Sequence, residues 1–317
     1  MVACFTWSLH GRDFLVDLKE GQRARNMWSY DRHKNHEMRL VQDEEFPSCY
    51  TGPDTIDAWR HLRFLECTLP LLTEWPVSEW ITIGDGNFGS DAFFLRSHGV
   101  AVTATSISSN TLSVAHANGW IDAYAAENAE SLSYEDNAVD FVLCKDALHH
   151  FPRPPIGFYE MLRVARKAIV LVEPLDPGWR ALSSLKTFAK LVLRGSSDDQ
   201  FEPSGNFVYR LTIREVFKML TALGYPCFAW KGINDCYVAK LGTASASRRS
   251  TGWLFTRIGI AFQDALCRIK LLSFGRASII CFKQEPTKQF LTSLERRGFT
   301  VVNLPRNPYC ERSEPTV

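Results

Sequence analysis

Gly84-Asp85-Gly86-Asn87-Phe88-Gly89 is the stretch of this chain whose residue types most directly suggest chemistry. Glycines there let a backbone turn sharply and meet a ligand with no Cβ in the way. The turn follows a short apolar run, Trp80-Ile81-Thr82-Ile83, and opens a helix-like segment from Ser90 to His98. Unpaired N–H groups at a helix start would then face whatever binds. Alone, the pattern equally suits a tight strand–helix turn without a ligand. Further on, Lys145-Asp146 ends an apolar run, His149-His150 follows, and Glu173 ends the next such run. Imidazoles titrate near neutrality and can take a proton from an acceptor group. The plainer alternative packs one histidine under a sheet edge and bonds the other to backbone. His33 and His36 could share a helix face. A third or fourth ligand is not evident, so no metal site is expected.

These residues need elements to hold them. Trp80–Ile83, Val100–Ala104, Ala138–Cys144 and Ala168–Val172 are short apolar, β-rich runs. Segments of helical period separate or follow them: Ser90–His98, Ser109–Asn118 and Ile156–Ala165. Strands alternating with helices of this length imply βαβ units and a parallel sheet covered on both faces. Later segments read as a basic amphipathic stretch at 179–194, a helix at 211–223, one or two strands in 226–240, and a helix at 253–272. A strand at 278–282 and a final helix–strand unit, 287–297 and 299–304, complete the pattern. Ahead of the first strand, apolar residues at 59, 62, 65, 69 and 72 predict a helix over 54–72, while residues 1–50 show no clean period.

The glycine turn, Asn128-Ala129, Asp140-Phe141-Val142-Leu143 and Ala147-Leu148-His149-His150-Phe151, at these separations, resemble a class I S-adenosylmethionine-dependent methyltransferase, of the kind that accompanies bacterial surface-glycan synthesis. The motifs span roughly 80–175, and the organisation 54–285. The resemblance implies a doubly wound, mostly parallel α/β sheet of seven strands, Rossmann-like, with the last pair antiparallel. It implies that Gly84, Gly86 and Gly89 lie against the methionine part of S-adenosylmethionine, with Asp85 between them. Ser106 stands where the family has an acid for the ribose hydroxyls, and Ile107 beside the adenine. Asn128 and Ala129 match the pair that reads the adenine edge, and Lys145 lies near the methionine end. His149, His150 and Asp146 are the candidate catalytic residues.

Two departures stand out. The family's acid near the end of the first strand is here Thr82, and its ribose-binding acid is Ser106. A hydroxyl still bonds to a ribose, without the strength of a charge-assisted bond. Asp85 is expected to compensate. By this resemblance residues 1–75 form a helical cover, 76–285 the cofactor-binding domain with a lid at 175–210, and 286–317 a helix–strand extension. The expected reaction is methyl transfer to an oxygen, less readily a nitrogen, of a small-molecule or glycan acceptor such as a sugar hydroxyl. The glycine turn alone also allows a nicotinamide-dependent oxidoreductase, and the two departures allow a cofactor-binding module without turnover.

Composition bounds these readings. The chain has 317 residues, 45% hydrophobic and 22% charged, which excludes mainly disordered, collagen-like or coiled-coil classes. Lys+Arg 36 against Asp+Glu 35 gives a net charge of +1, so no nucleic-acid partner is expected. Nine cysteines without C-x-x-C spacing read as reduced thiols of a cytoplasmic protein. The opening residues do not read as a signal peptide, and no apolar run is long enough to span a membrane. The basic amphipathic stretches 179–194 and 248–272 leave peripheral membrane contact open.

Overall fold

Along each central strand of the computed structural model, which describes residues 29–176, 201 and 207–308, successive apolar side chains enter opposite layers. Trp80, Phe141, Val170 and Ile280 pack on one face of the sheet, and their neighbours Ile81, Val142, Ile169 and Ile279 on the other. A strand buried on both faces has no polar side to show, which is why these segments read as predominantly apolar runs.

The elements run in this order. A helix over residues 29–42 (α1) is followed by α2 (Ser48–Thr51), α3 (Ile56–Leu65), α4 (Leu69–Glu74), β1 (Glu79–Ile83), α5 (Ser90–Ser97), β2 (Ala101–Ser106), α6 (Asn110–Ala117) and β3 (Ala123–Ala126). Next come β4 (Val139–Lys145), α7 (Pro154–Val164) and β5 (Ala165–Pro174). The chain closes with α8 (Ile213–Ala222), β6 (Cys227–Ile233), α9 (Thr251–Arg268), β7 (Arg276–Phe282), α10 (Lys288–Arg296) and β8 (Thr300–Asn303).

The sheet order is β3-β2-β1-β4-β5-β7-β6-β8. Strands β1 to β5 pair in parallel, whereas β7 runs antiparallel to both β5 and β6. The chain direction across the sheet reverses between β1 and β4, and in open α/β sheets ligands bind beyond the strand ends at such a point.

Eight strands form, not seven. The extra one, β8, pairs antiparallel with β6 and becomes the sheet edge. β6 and β7 do pair antiparallel, but α9 lies between them in the chain. β3, Ala-Tyr-Ala-Ala, is absent from the sequence reading because it is short, weak in β-branched residues and half exposed. α1 is absent from it too. The lid expected over 175–210 falls outside the described residues apart from 175–176, 201 and 207–210, and the 179–194 segment falls outside them entirely. α9 turns Phe255, Ile258 and Phe262 outward. No described helix is long and apolar enough to cross a membrane.

Candidate active site

The turn after β1 is built on positive backbone angles: Gly84 has φ +71°, Phe88 +53° and Gly89 +66°. A Cβ on Gly84 would also run into the Cβ of Ala147, in the loop after β4. Glycine is required there on both counts. Gly86 has an ordinary φ, and its requirement is space: a Cβ would lie 2.5 Å from Glu37 Oε1 and 2.9 Å from Ser106 Oγ.

Asp85 does not face the ligand side. Its carboxylate is 3% exposed and accepts the Thr82 hydroxyl at 2.9 Å and the N–H groups of Asp91 at 3.2 Å and Ala92 at 2.9 Å. It thus caps the first turn of α5, where unpaired N–H groups and positive dipole attract an acid. Burial, with the Asp91 carboxylate close by, pushes Asp85 up to about 8. The expected compensation for Ser106 is therefore not made by Asp85. Gly89 faces the core, where a Cβ would meet Ile121 at 2.9 Å. Lys145 is also turned inward, with Nζ 3.1 Å from Asp91 and 3.6 Å from Asp146.

Beyond the strand ends lies a hollow of about 350 Å³, at the small end of the usual range for ligand pockets. The ends of β1 and β2 give it Gly84, Gly86, Ser106 and Ile107. The loop after β3 gives Asn128, Ala129 and Glu130, and the loop after β4 gives Asp146, Ala147, His150 and Phe151. Eight residues assigned to the cofactor or catalytic site from the sequence meet here: Gly84, Gly86, Ser106, Ile107, Asn128, Ala129, Asp146 and His150. Asp85, Gly89, Lys145 and His149 do not line it. The Asn128 Oδ1 accepts the Glu130 N–H at 3.0 Å, which leaves the N–H₂ end of the amide to donate.

The fourth wall is α1. Tyr30, His33, Glu37 and Leu40 line the hollow, spaced three, four and three apart along one helix face. Glu37 is 5% exposed. The Ser106 hydroxyl donates to its Oε1 and the Ser108 hydroxyl to its Oε2, each at 2.5 Å. Burial pushes the Glu37 carboxyl above its usual range, against the pull of those two hydroxyls. At the other end of α1 the Tyr30 hydroxyl donates to Glu130 Oε2 at 2.7 Å. Sequence reading placed only His33 and His36 on a common helix face and missed the rest of this wall. Its only signal was a helical spacing of mostly polar residues.

His149 looks away from the hollow toward Glu173. Its Nδ1 lies 2.6 Å from Glu173 Oε2, while Oε1 accepts the N–H groups of Ala147 and Leu148 at 2.9 Å each. Glu173 thus sets the shape of the loop that carries both histidines. The two imidazole centroids are 4.0 Å apart, and His150 meets His33 edge-on at 5.4 Å. Asp146 pairs with Arg276. Although half-buried, its carboxyl is held well below the usual range by Lys145 and Arg276, so it is ionised and a poor base. Among the described residues no three His, Cys, Asp or Glu side chains converge as a metal site would need.

The cradle fits S-adenosylmethionine: a glycine whose Cβ would fill it, an apolar side chain and an amide at the ends of β2 and β3, and a buried carboxylate between them. Residues 81–172 match the family model described as a methyltransferase domain. No curated protein sequence matches the chain significantly. Among solved structures, a candidate sarcosine dimethylglycine methyltransferase from Galdieria sulphuraria is 17% identical, with 70% of this chain and 86% of that one covered and a TM-score of 0.47. The YcgJ protein of Bacillus subtilis is 18% identical, covering 70% and 99%, at a TM-score of 0.45. Magnesium protoporphyrin IX methyltransferase of Synechocystis, solved with S-adenosylhomocysteine bound, is 14% identical, covering 74% and 87%, at 0.44. Residues 81–172 of this chain are a methyltransferase domain of the class I, S-adenosylmethionine-dependent kind.

Proposed function

We propose that the protein methylates a hydroxyl oxygen of its acceptor, with a sugar hydroxyl the first class to test and an amine nitrogen the second. The observation that supports this is the presence of His150 in the same hollow as the glycine turn, backed by His149 and the buried Glu173. When bound, S-adenosylmethionine supplies a methyl group already activated by its sulfonium. Gly84 and Gly86 would hold its methionine part, and Ile107, Asn128 and Ala129 its adenine. The protein's remaining work is to align the acceptor, exclude water and receive a proton. Alignment is the larger share, since well-oriented groups reach effective molarities of about 10⁵–10⁸ M.

Proton removal falls to the histidines. The Glu173 carboxylate accepts from His149 Nδ1, which fixes the orientation of that imidazole beside His150. In this reading His150, which lines the hollow, takes the acceptor's proton. General base catalysis of this sort is worth about 10²–10⁴-fold. Asp146 is tied to Arg276 and Lys145. Its role in this reading is to fix the wall of the site.

This reading sets aside hydride transfer to a nicotinamide. The described cysteines are all free thiols, which suits a cytoplasmic setting. Outward Phe255, Ile258 and Phe262 on α9 suit peripheral contact with a membrane surface, and flotation with anionic vesicles tests that part. The activity itself is tested with methyl-labelled S-adenosylmethionine and panels of polyhydroxylated and amine acceptors. Label should enter the hydroxyl panel, and His150→Ala should lose at least about 10²-fold in rate. Transfer to amines alone, with His150→Ala unimpaired, would refute the reading.

A further inference from the structure

We infer that Glu37 is the acid that receives the ribose 2′- and 3′-hydroxyls of the bound nucleoside, so that α1 is part of the cofactor site and docks together with the ligand. The inference rests on the S-adenosylmethionine reading of the hollow.

The position at the end of β2 where an acid is expected holds Ser106. The acid in the turn after β1, Asp85, has its carboxylate committed to Thr82 and the start of α5. Glu37 brings a carboxylate to that place from the opposite wall. Its Oε1 rests on the Ser106 hydroxyl and lies 2.5 Å from where a Gly86 Cβ would be. It therefore sits between the turn after β1 and the end of β2.

The energetics favour a ligand there. A buried carboxylate is costly to hold unless its lone pairs are met. The two oxygens of Glu37 offer about four acceptor positions. Two neutral hydroxyls, Ser106 and Ser108, fill two of them. The nearest cation acting on Glu37 is Lys34, on the exposed side of its own helix. A vicinal diol supplies two more O–H donors in one rigid unit, which matches what remains. Of the other titratable groups lining the hollow, Glu127 is the one beside the end of β2, with its backbone N–H on the Ser106 carbonyl, and its carboxylate is taken up by the Ser133 N–H and hydroxyl.

The rest of α1 is positioned to make this a closure. Tyr30 pins its start to Glu130, which also receives the Arg153 backbone N–H at 2.6 Å and side chain at 2.8 Å. Glu37, two turns later, pins it to β2. A ligand that bonds to Glu37 adds a third attachment, so binding tightens the helix onto the sheet.

The test is calorimetric titration of the full chain with S-adenosylhomocysteine and with its 2′,3′-dideoxy analogue. In Glu37→Gln, affinity for S-adenosylhomocysteine should fall by about 10- to 100-fold. Affinity for the dideoxy analogue should change by less than about twofold, as for a ligand lacking the contact. The double variant Glu37→Ala with Ser106→Asp, which returns the acid to β2, should recover most of the loss. In the unsubstituted protein, amide exchange over 29–42 should slow when S-adenosylhomocysteine binds. Equal loss for both ligands would reduce Glu37 to a structural prop and overturn the inference. Unchanged or tighter binding in Glu37→Gln would overturn it as well, the latter marking Glu37 as a plug that the ligand displaces. If the unsubstituted protein binds neither ligand, the cofactor reading itself fails.

Discussion

Ser106→Asp, made alone, sets a second carboxylate against Glu37. Two quantities decide its effect. The first is the lost donor: Ser106 gives a hydrogen bond to a carboxylate at 2.5 Å, and such bonds are worth about 1.5–3 kcal/mol. The second is repulsion, about 4 kcal/mol for like charges 4 Å apart at an effective dielectric constant of 20. A shared proton removes the repulsion and restores a hydrogen bond, so the penalty is capped by the cost of binding that proton. From an ordinary value of 4.5, holding a proton at pH 7 costs at most about 3 kcal/mol, and at pH 5.5 about 1 kcal/mol, at 1.36 kcal/mol per unit. The raised proton affinity of buried Glu37 lowers both figures. Affinity for S-adenosylhomocysteine should therefore fall by up to about 100-fold at pH 7 and by about 10-fold at pH 5.5. Calorimetry at the two pH values, with thermal melts alongside, measures this. Tighter binding at pH 7, as an unopposed ribose acid would give, refutes the placement of Glu37. So does a penalty that does not shrink on acidification.

Gly86→Ala should fold normally, since its φ is ordinary, yet bind S-adenosylhomocysteine about 10-fold less tightly, because the new Cβ pushes against Glu37 Oε1 and Ser106 Oγ; calorimetry with a circular-dichroism control checks both halves. Glu173→Gln puts an N–H₂ among groups that already donate, Ala147 N–H, Leu148 N–H and His149 Nδ1, and should lower the urea-unfolding free energy by about 1–3 kcal/mol. A midpoint unchanged from the parent would show that Glu173 does not organise that loop. Arg163 donates to the carbonyls of Leu132 and Tyr134 and to Glu160, holding the loop after β3 to α7. Arg163→Ala should reduce stability by about 1–2 kcal/mol, discounted for its partly exposed ion pairs. Glu160 is held below its usual value by Arg163, against burial. That share of stability is present above about 4.5 and is lost as pH falls through the lower folded value, so in acid the gap between variant and parent melts should narrow to the part carried by the Leu132 and Tyr134 carbonyls.

Burial on both faces made β1, β4 and β5 legible, because Trp80–Ile83, Val139–Cys144 and Ala168–Val172 are dominated by apolar residues, with Thr82 and Asp140 the single polar residues in the first two. The same criterion failed at β3, where Ala123–Ala126 sit half exposed beside β2. It failed again at α1, whose inward face is Tyr30, His33, Glu37 and Leu40. That face meets a ligand hollow and not a core, so hydrophobic periodicity had little to detect. The missing acid at Ser106 was plain from residue type, but its replacement lies 69 residues away on an element with no sequence link to the motif. Asp85 was the natural local substitute. Helix α5 claims it first, because its N-terminal N–H groups are the nearest donors. The two histidines were equivalent on paper. Glu173 separates them by anchoring one and leaving the other at the hollow.

The C-terminal helix–strand unit changes what the sheet offers to other molecules. Without it the outermost strand would be β6, seven residues long and carrying Phe228 and Trp230, with the row of backbone donors and acceptors on its outer side unmatched. β8 covers Cys227–Trp230 of that row and ends the sheet in a strand of four residues, the same length as β3 at the far side. Short margins are poor templates for further strand addition. The extension thus works as a terminator, leaving a short margin where β6 would otherwise offer a long one.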